Sequence, residues 1–311
     1  MPSLELGLVL PLLEDPPSGQ KHKWDEIRAT ALKAEELGFD TVWVADELLW
    51  NAPAWSGPRG WWECVAMAAA VAASTSRIGV GSWVLSALHR NPGLTAKAVE
   101  TLDEISGGRF ILGFGSGHAG TQGDKYGYPM DRTIGRYEEA LQILVPLLRQ
   151  GRADFEGEFH RAKDLEQRPR GPRPGGIPIM LGAHGKRTMR LAVEHADIWS
   201  CYATESSLPD AFDGYLKLLA EACEVAGRDP STIGRSVGLI IETTDDHSAE
   251  ANEMGVPIMG TPDEIAATIR EFALRGFTRI EIVPWPQTMN AVESLAPVLA
   301  ALDRQPDQSV A

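Results

Sequence analysis

The chain of 311 residues has only three cysteines, Cys64, Cys201 and Cys223, and none stands at metal-ligand spacing from another. So sparse and odd a set argues against a disulfide framework and fits a reduced cytoplasm. Its seven histidines show no H-x-H or H-E-x-x-H spacing, so no metal site is expected. Basic charge is also short: 29 Lys and Arg stand against 43 Asp and Glu, a net charge of -14. That balance speaks against nucleic acid or an anionic membrane as the main partner. No apolar run reaches spanning length. Leu4–Leu10 is apolar but short, lacks a basic stretch before it and is broken by Pro11. It reads as a strand and not as a signal peptide. Neither G-x-S-x-G nor G-x-x-x-x-G-K-[ST] occurs, which leaves hydrolase and P-loop readings without support.

What is present is alternation. Apolar, β-branched stretches at Leu4–Leu10, Thr41–Ala45, Ile78–Val84, Arg109–Gly113, Ile177–Leu181, Ile198–Cys201, Ser236–Ile241 and Arg279–Val283 read as strands. Between them, helical periodicity covers Trp24–Leu37, Trp62–Ala73, Gly93–Ile105, Thr133–Arg149, Lys186–His195, Leu208–Ala226 and Met289–Leu302. Thr261-Pro262-Asp263-Glu264 opens a further helix, ending at Arg275, with a capping hydroxyl, a proline in the first turn and acids at the positive dipole end. Eight strands alternating with eight helices predict a (β/α)₈ TIM barrel, one domain over residues 1–311. Two connections, 150–176 after the fourth helix and 242–260 after strand seven, exceed ordinary loop length and read as insertions. In the first, Phe155 and Phe159 flank a predicted hairpin. Arg168 to Gly176 then reads as a stiff solvated loop or, alternatively, as a basic lid over a polyanionic tail.

The fourth strand carries the densest signal. Gly113, Gly115 and Gly117 recur at every second position and imply close approach of a ligand or another backbone. Gly115 to Gly120 also fits G-x-G-x-x-G, but that pattern requires a helix to open on it. Residues 121–129 read as loop, so the match does not indicate a nicotinamide fold.

In a barrel the active face lies at the C-terminal ends of the strands. Those ends carry Asp46-Glu47, Ser82-Trp83-Val84, Ser116-Gly117-His118, Gly182-Ala183-His184-Gly185, Cys201-Tyr202, Glu242 and Trp285. Asp46 and Glu47 are adjacent, so their side chains diverge. Glu47 and His118 are the candidates for proton transfer. Gly182 to Gly185, ahead of a helix bearing Lys186, Arg187 and Arg190, has the form of a phosphate site. Trp50 and Trp55 lie in a Pro/Gly loop, where aromatics suit either a flat substrate or lid packing. Trp285 is the third candidate substrate contact. Trp62 reads as core.

Taken together these residues resemble the luciferase-like monooxygenases. The resemblance rests on 38-GFDTVWVAD-46, 75-TSRIGVG-81, 90-RNPGLTAK-97 and, above all, 106-SGGRFILGFGSG-117. The stretches 155–159, 178–182 and 260–265 extend it over nearly the whole chain. It implies a TIM barrel binding coenzyme F420 or, alternatively, FMN. Positions matching cofactor contacts are Asp46, Trp83, Val84, Ser116, Gly117, Ala183, Gly185 and Cys201, with Ser82, Gly182 and His184 beside them. It also implies a non-proline cis peptide at Trp83–Val84, bulging towards the central ring. Relatives that oxidise sugar phosphates and alcohols carry His where this chain has Glu47, and some carry Glu in place of His118, so the substrate does not transfer. The expected activity is hydride exchange between F420 and a small organic molecule. The alternatives are an FMN-dependent monooxygenase using O₂ and a flavin-binding protein without turnover. A cytoplasmic homodimer is the expected assembly.

Overall fold

A computed structural model describes residues 4–304 other than 17, 53–54, 118–120, 174, 203–205 and 244–254. Eight parallel strands close on themselves: β1 (Glu5–Val9), β2 (Thr41–Val44), β3 (Gly79–Ser82), β4 (Phe110–Gly115), β5 (Ile179–Gly182), β6 (Ile198–Tyr202), β7 (Gly234–Glu242) and β8 (Arg279–Trp285). Closure is made by β8 pairing with β1, Glu5 opposite Arg279, and by β5 pairing with β4, Ile179 opposite Leu112. The helices between them are α1 (Trp24–Leu37), α2 (Cys64–Ser74), α3 (Pro92–Ser106), α4 (Thr133–Gln150), α5 (Lys186–His195), α6 (Asp213–Ala226), α7 (Pro262–Leu274) and α8 (Ala296–Asp303). The expected barrel is therefore the observed one.

Strand period 2 divides the side chains between two cores. In β7, Val237, Leu239 and Ile241 face the helices and join one continuous layer with residues such as Ile27, Val71, Leu144 and Phe272. Ile240 faces the lumen with Val9, Trp43, Met180, Val283 and Trp285. The strands are apolar on both faces because both are covered.

Helix ends follow local chemistry. Asn91 caps α3 through its side chain, which accepts from the N–H groups of Gly93 and Leu94 at 2.9 and 3.3 Å. Thr261 caps α7 and Glu264 reaches back to the Thr261 N–H at 2.8 Å. The single helix expected over Met289–Leu302 is two, Met289–Glu293 and Ala296–Asp303. Pro297 lacks the N–H that a continuous helix would need there. The helix expected from Trp62 begins at Cys64, and Trp62 is 36% exposed, its indole N–H donating to the His22 carbonyl at 2.8 Å. It is a surface residue and not core.

The first insertion contains the predicted hairpin, Arg152–Glu156 against Arg161–Glu166. The arginines after it form no lid. Arg173 pairs with Asp103 and donates to the Phe110 carbonyl; Arg170 binds Glu100 and the Leu148 carbonyl. Phe110 opens β4, so these contacts fasten the segment to the N-terminal floor, opposite the mouth. Of the second insertion, residues 244–254 lie outside the described residues. No helix among the described residues is long and apolar enough to cross a membrane.

Candidate active site

The mouth is organised around Asp46. Its residue is 3% exposed. The carboxylate accepts from Arg90 at 2.7 and 2.9 Å, from the Ser86 N–H at 2.8 Å and lies 3.2 Å from His89 Nδ1. Burial pushes this carboxyl up, but the His89 and Arg90 hydrogen bonds and the Arg90 charge outweigh it and hold it below the ordinary aspartate range. Arg90 is shared with Glu63, the N-cap of α2, so one guanidinium ties three segments together.

That clamp anchors the segment leaving β3. The Trp83–Val84 peptide is cis, as the resemblance implied. The segment then returns as a short strand, Leu85–Ser86, alongside Phe114–Gly115. This explains the glycines of β4. A Cβ on Gly113 would lie 2.0 Å from the Ser82 carbonyl oxygen, and one on Gly115 would lie 2.9 Å from Val84. The close approach read from the sequence is made there by the protein's own backbone and Val84. Ser82 belongs to the same joint: its hydroxyl donates to the Gly113 carbonyl at 2.8 Å.

Glu47 lies in the loop that follows β2 and accepts from the Gln122 side-chain amide, while Asp46 binds Arg90. Gln122 is buried, and its own carbonyl accepts from the Leu48 N–H at 3.0 Å. It sits on a short helix, Thr121–Tyr126, inside the stretch read as loop. The glycines at 123 and 127 masked that turn of helix, and with it the residue that orients Glu47. His118, the second proton-transfer candidate, lies outside the described residues. Ser116 and Gly117 follow β4 at the rim.

Beyond β5, Gly185 opens α5, its N–H donating to Thr188 Oγ1 at 3.2 Å. A Cβ on Gly182 or Gly185 would meet nothing nearer than 3.9 Å, so this turn is open where an anion would approach the helix. The cationic supplement is smaller than expected. Arg187 and Arg190 both pair with Glu138 on α4, which leaves Lys186 beside the turn. Lys186 lines a cleft of about 360 Å³ with His184, Tyr215 and Lys217. His184 accepts from the Tyr202 N–H at 3.1 Å, and burial lowers its pKa.

The remaining candidates divide by face. Ala183 and Cys201 pack in the helix-facing layer, so the Cys201 thiol is turned from the mouth and burial pushes its pKa up. Trp83, Val84, Tyr202 and Trp285 belong to the lumen cluster, with Trp83 edge-on to Tyr202 at 5.7 Å. Trp55 is 7% exposed in a small core with Leu13 and Ala52, and Trp50 packs against it at 5.4 Å. Lid packing therefore describes Trp55 better than an exposed aromatic wall. Among the described residues, no group of three or more His, Cys, Asp or Glu is placed to hold a metal ion.

Comparison with known proteins fits this geometry. The profile of the luciferase-like monooxygenases matches residues 4–259. A 5,10-methylenetetrahydromethanopterin reductase from Archaeoglobus fulgidus is 26% identical over 310 residues, 83% of this chain and 89% of that protein. An F420-dependent glucose-6-phosphate dehydrogenase from Kineococcus radiotolerans is 30% identical over 222 residues, 70% of this chain and 63% of that protein. In fold, the chain is similar to a solved F420-dependent secondary alcohol dehydrogenase in complex with an F420-acetone adduct. There the TM-score is 0.79 at 16% identity, over 97% of this chain and 100% of that one. The chain belongs to the luciferase-like monooxygenase family.

Proposed function

We propose that the protein is an oxidoreductase that exchanges a hydride between coenzyme F420 and a small organic substrate at the barrel mouth. The observation that carries this reading is the segment leaving β3, clamped by Asp46 and Arg90 beside the aromatic lumen, with the open Gly182–Gly185 turn across the rim. The residues present fit such a group. The open turn and the N-terminus of α5 would hold its phosphate. The backbone at Trp83–Val84 and Ser116–Gly117 would border its ring system, with His184 and the peptides of Ala183 and Cys201 nearby. F420, when bound, supplies a carbon centre that gives or takes a hydride.

The chain supplies the proton chemistry and the dry walls. Glu47, held by Gln122, moves a proton to or from the substrate, and His118 is proposed as its partner. Trp83, Tyr202 and Trp285 exclude water. Trp50 is proposed to border the substrate from the lid. The family's description as luciferase-like monooxygenases keeps open a second reading, in which the chain is a monooxygenase that works with FMN and O₂. Titrating the purified protein with F420 and with FMN, followed by O₂ consumption, separates the readings. Tight F420 binding without O₂ uptake is expected; FMN binding with substrate-dependent O₂ uptake would replace the proposal.

We propose a homodimer, because α2 is apolar on nearly every side, with Val65, Met67, Ala69 and Ala70 only partly covered and Ala66 and Ala73 exposed. Sedimentation at monomer mass would reject it. The three cysteines are free and buried, which suits a reducing cytoplasm.

A further inference from the structure

Trp83 follows β3, and its indole crosses the lumen to the opposite wall. In the closed order of strands, β3 reaches β7 through β4, β5 and β6 on one side and through β2, β1 and β8 on the other, so the two strands are diametrically opposed. Yet a Cβ on Gly238 of β7 would lie 2.4 and 2.7 Å from Cζ2 and Cη2 at the far edge of that indole, and 2.9 Å from the Tyr202 ring. Gly238 is in phase with Ser236 and Ile240, so its empty side faces the lumen. Tyr202 is its register partner on β6 and meets the indole edge-on, with 5.7 Å between centroids. The lumen cluster that Trp83 packs against is filled: Trp43, Met180, Ile240 and Val283 are each 1% exposed or less. Trp83 itself is partly exposed. Ser236 and Glu281 close the lumen on the floor side, both fully buried, so the exposed part of the indole opens onto the mouth.

From this juxtaposition we infer that Gly238 is a positioning residue that acts through Trp83. With no side chain at 238, the indole lies across the lumen as the base of the mouth and limits how deep a planar ring can enter. The ring is that of the cofactor, so the inference rests on the function proposed above. A methyl group at 238 would take the place of the indole edge. The packed lumen leaves that edge no other room, so the indole gives way on its exposed side and rises into the space of the ring.

Titration of F420 and of FMN into the full chain, followed by their visible absorption, tests this without turnover. Gly238→Ala should fold, because only side-chain edges must move, and should weaken the cofactor that wild type binds by about tenfold or more. In Trp83→Leu the side chain is too short to reach β7. This variant should weaken the same cofactor about threefold or more, through loss of the aromatic base, and move its bound absorption band towards that of the free cofactor. Adding Gly238→Ala to Trp83→Leu should then change affinity by less than about twofold. A merely structural glycine would not show that non-additivity. Unchanged affinity in a folded Gly238→Ala protein, or an equal loss in both backgrounds, would overturn the inference. Should Gly238→Ala fail to fold, unchanged affinity and absorption in Trp83→Leu overturn it alone. Wild type that binds neither cofactor counts against the proposed function itself. Tight binding that ignores both substitutions counts against the positioning role alone.

Discussion

At the floor of the barrel, arginines are consumed by structure. Arg279 reaches Glu5, Glu281 and Thr41; Arg109 donates to the carbonyls of Ala72, Thr75, Ile78 and Ser106; Arg173 holds Asp103 and Phe110. On the mouth side, Arg90 and the buried Arg59 of the loop after β2 are committed in this way, while the rim itself presents carboxylates, aromatics and an open glycine turn. The same residue types thus close one end and leave the other chemically available. The contrast is sharpest in two buried carboxylates. Asp46 receives both nitrogens of Arg90, and its pKa is lowered. Glu281 is buried more completely and shares Arg279 with two other groups, and its pKa is raised by that burial.

The largest expected effect lies at the mouth. Glu47→Gln and His118→Ala should each slow turnover by ~10²–10⁴ while leaving cofactor affinity nearly intact. Single-turnover reduction or reoxidation of bound cofactor measures the first, titration the second. Gln122→Ala should give a smaller loss in the same assay, because it disturbs the position of Glu47 and not its chemistry. Wild-type rates in both of the first two variants would return these residues to rim structure.

Arg90→Ala comes next. It strands Asp46 as a buried charge without its main partner, and removing one member of such a pair costs about 3–5 kcal/mol. Urea unfolding should show that loss at neutral pH and a smaller one in acid, where Asp46 is neutral. The sign follows from the lowered pKa of Asp46. In wild type its contribution is complete above the ordinary aspartate pKa and is lost as pH falls through the lowered one. A loss that ignores pH would mean that Arg90 acts through packing alone.

Gly185→Asp is a milder probe. Its Cβ has room, and an aspartate at this position caps α5, so the fold should be unchanged or slightly more stable. The same carboxylate occupies the proposed phosphate position, and cofactor affinity should fall about tenfold or more. Unchanged affinity in this folded variant would move the phosphate elsewhere.

The division between what the sequence disclosed and what it hid follows the same floor-and-mouth line. Strands and helices were legible because period 2 and period 3.6 are local, and because caps such as Asn91 and Thr261 mark helix starts. The close approach at Gly113 was legible too, but not which atoms make it. Pairings between distant loops were illegible. Nothing near Arg173 in sequence announces Asp103, and nothing near Arg187 announces Glu138. Gln122 was missed for a different reason: a helix of six residues containing glycine carries too little periodicity to declare itself. Charges therefore over-predicted ligand sites, since their partners come from elsewhere in the chain.

The smallest expected effect tests the floor. Glu281 accepts from Ser236 at 3.0 Å and from Arg279 at 3.2 Å, both on one oxygen. Glutamine keeps that oxygen, so Glu281→Gln retains both hydrogen bonds and removes the ionisation together with the second oxygen, which faces the Trp43 indole. Because burial raises the carboxyl's pKa, its contribution is complete below the ordinary glutamate value and is lost as pH rises through the raised one. Wild type should therefore lose stability over that rise, and the variant should not. Chemical denaturation at a series of pH values measures the difference between the two curves. Parallel curves would mean that Arg279 holds Glu281 ionised throughout, and the floor carboxylate would then resemble Asp46 instead of contrasting with it.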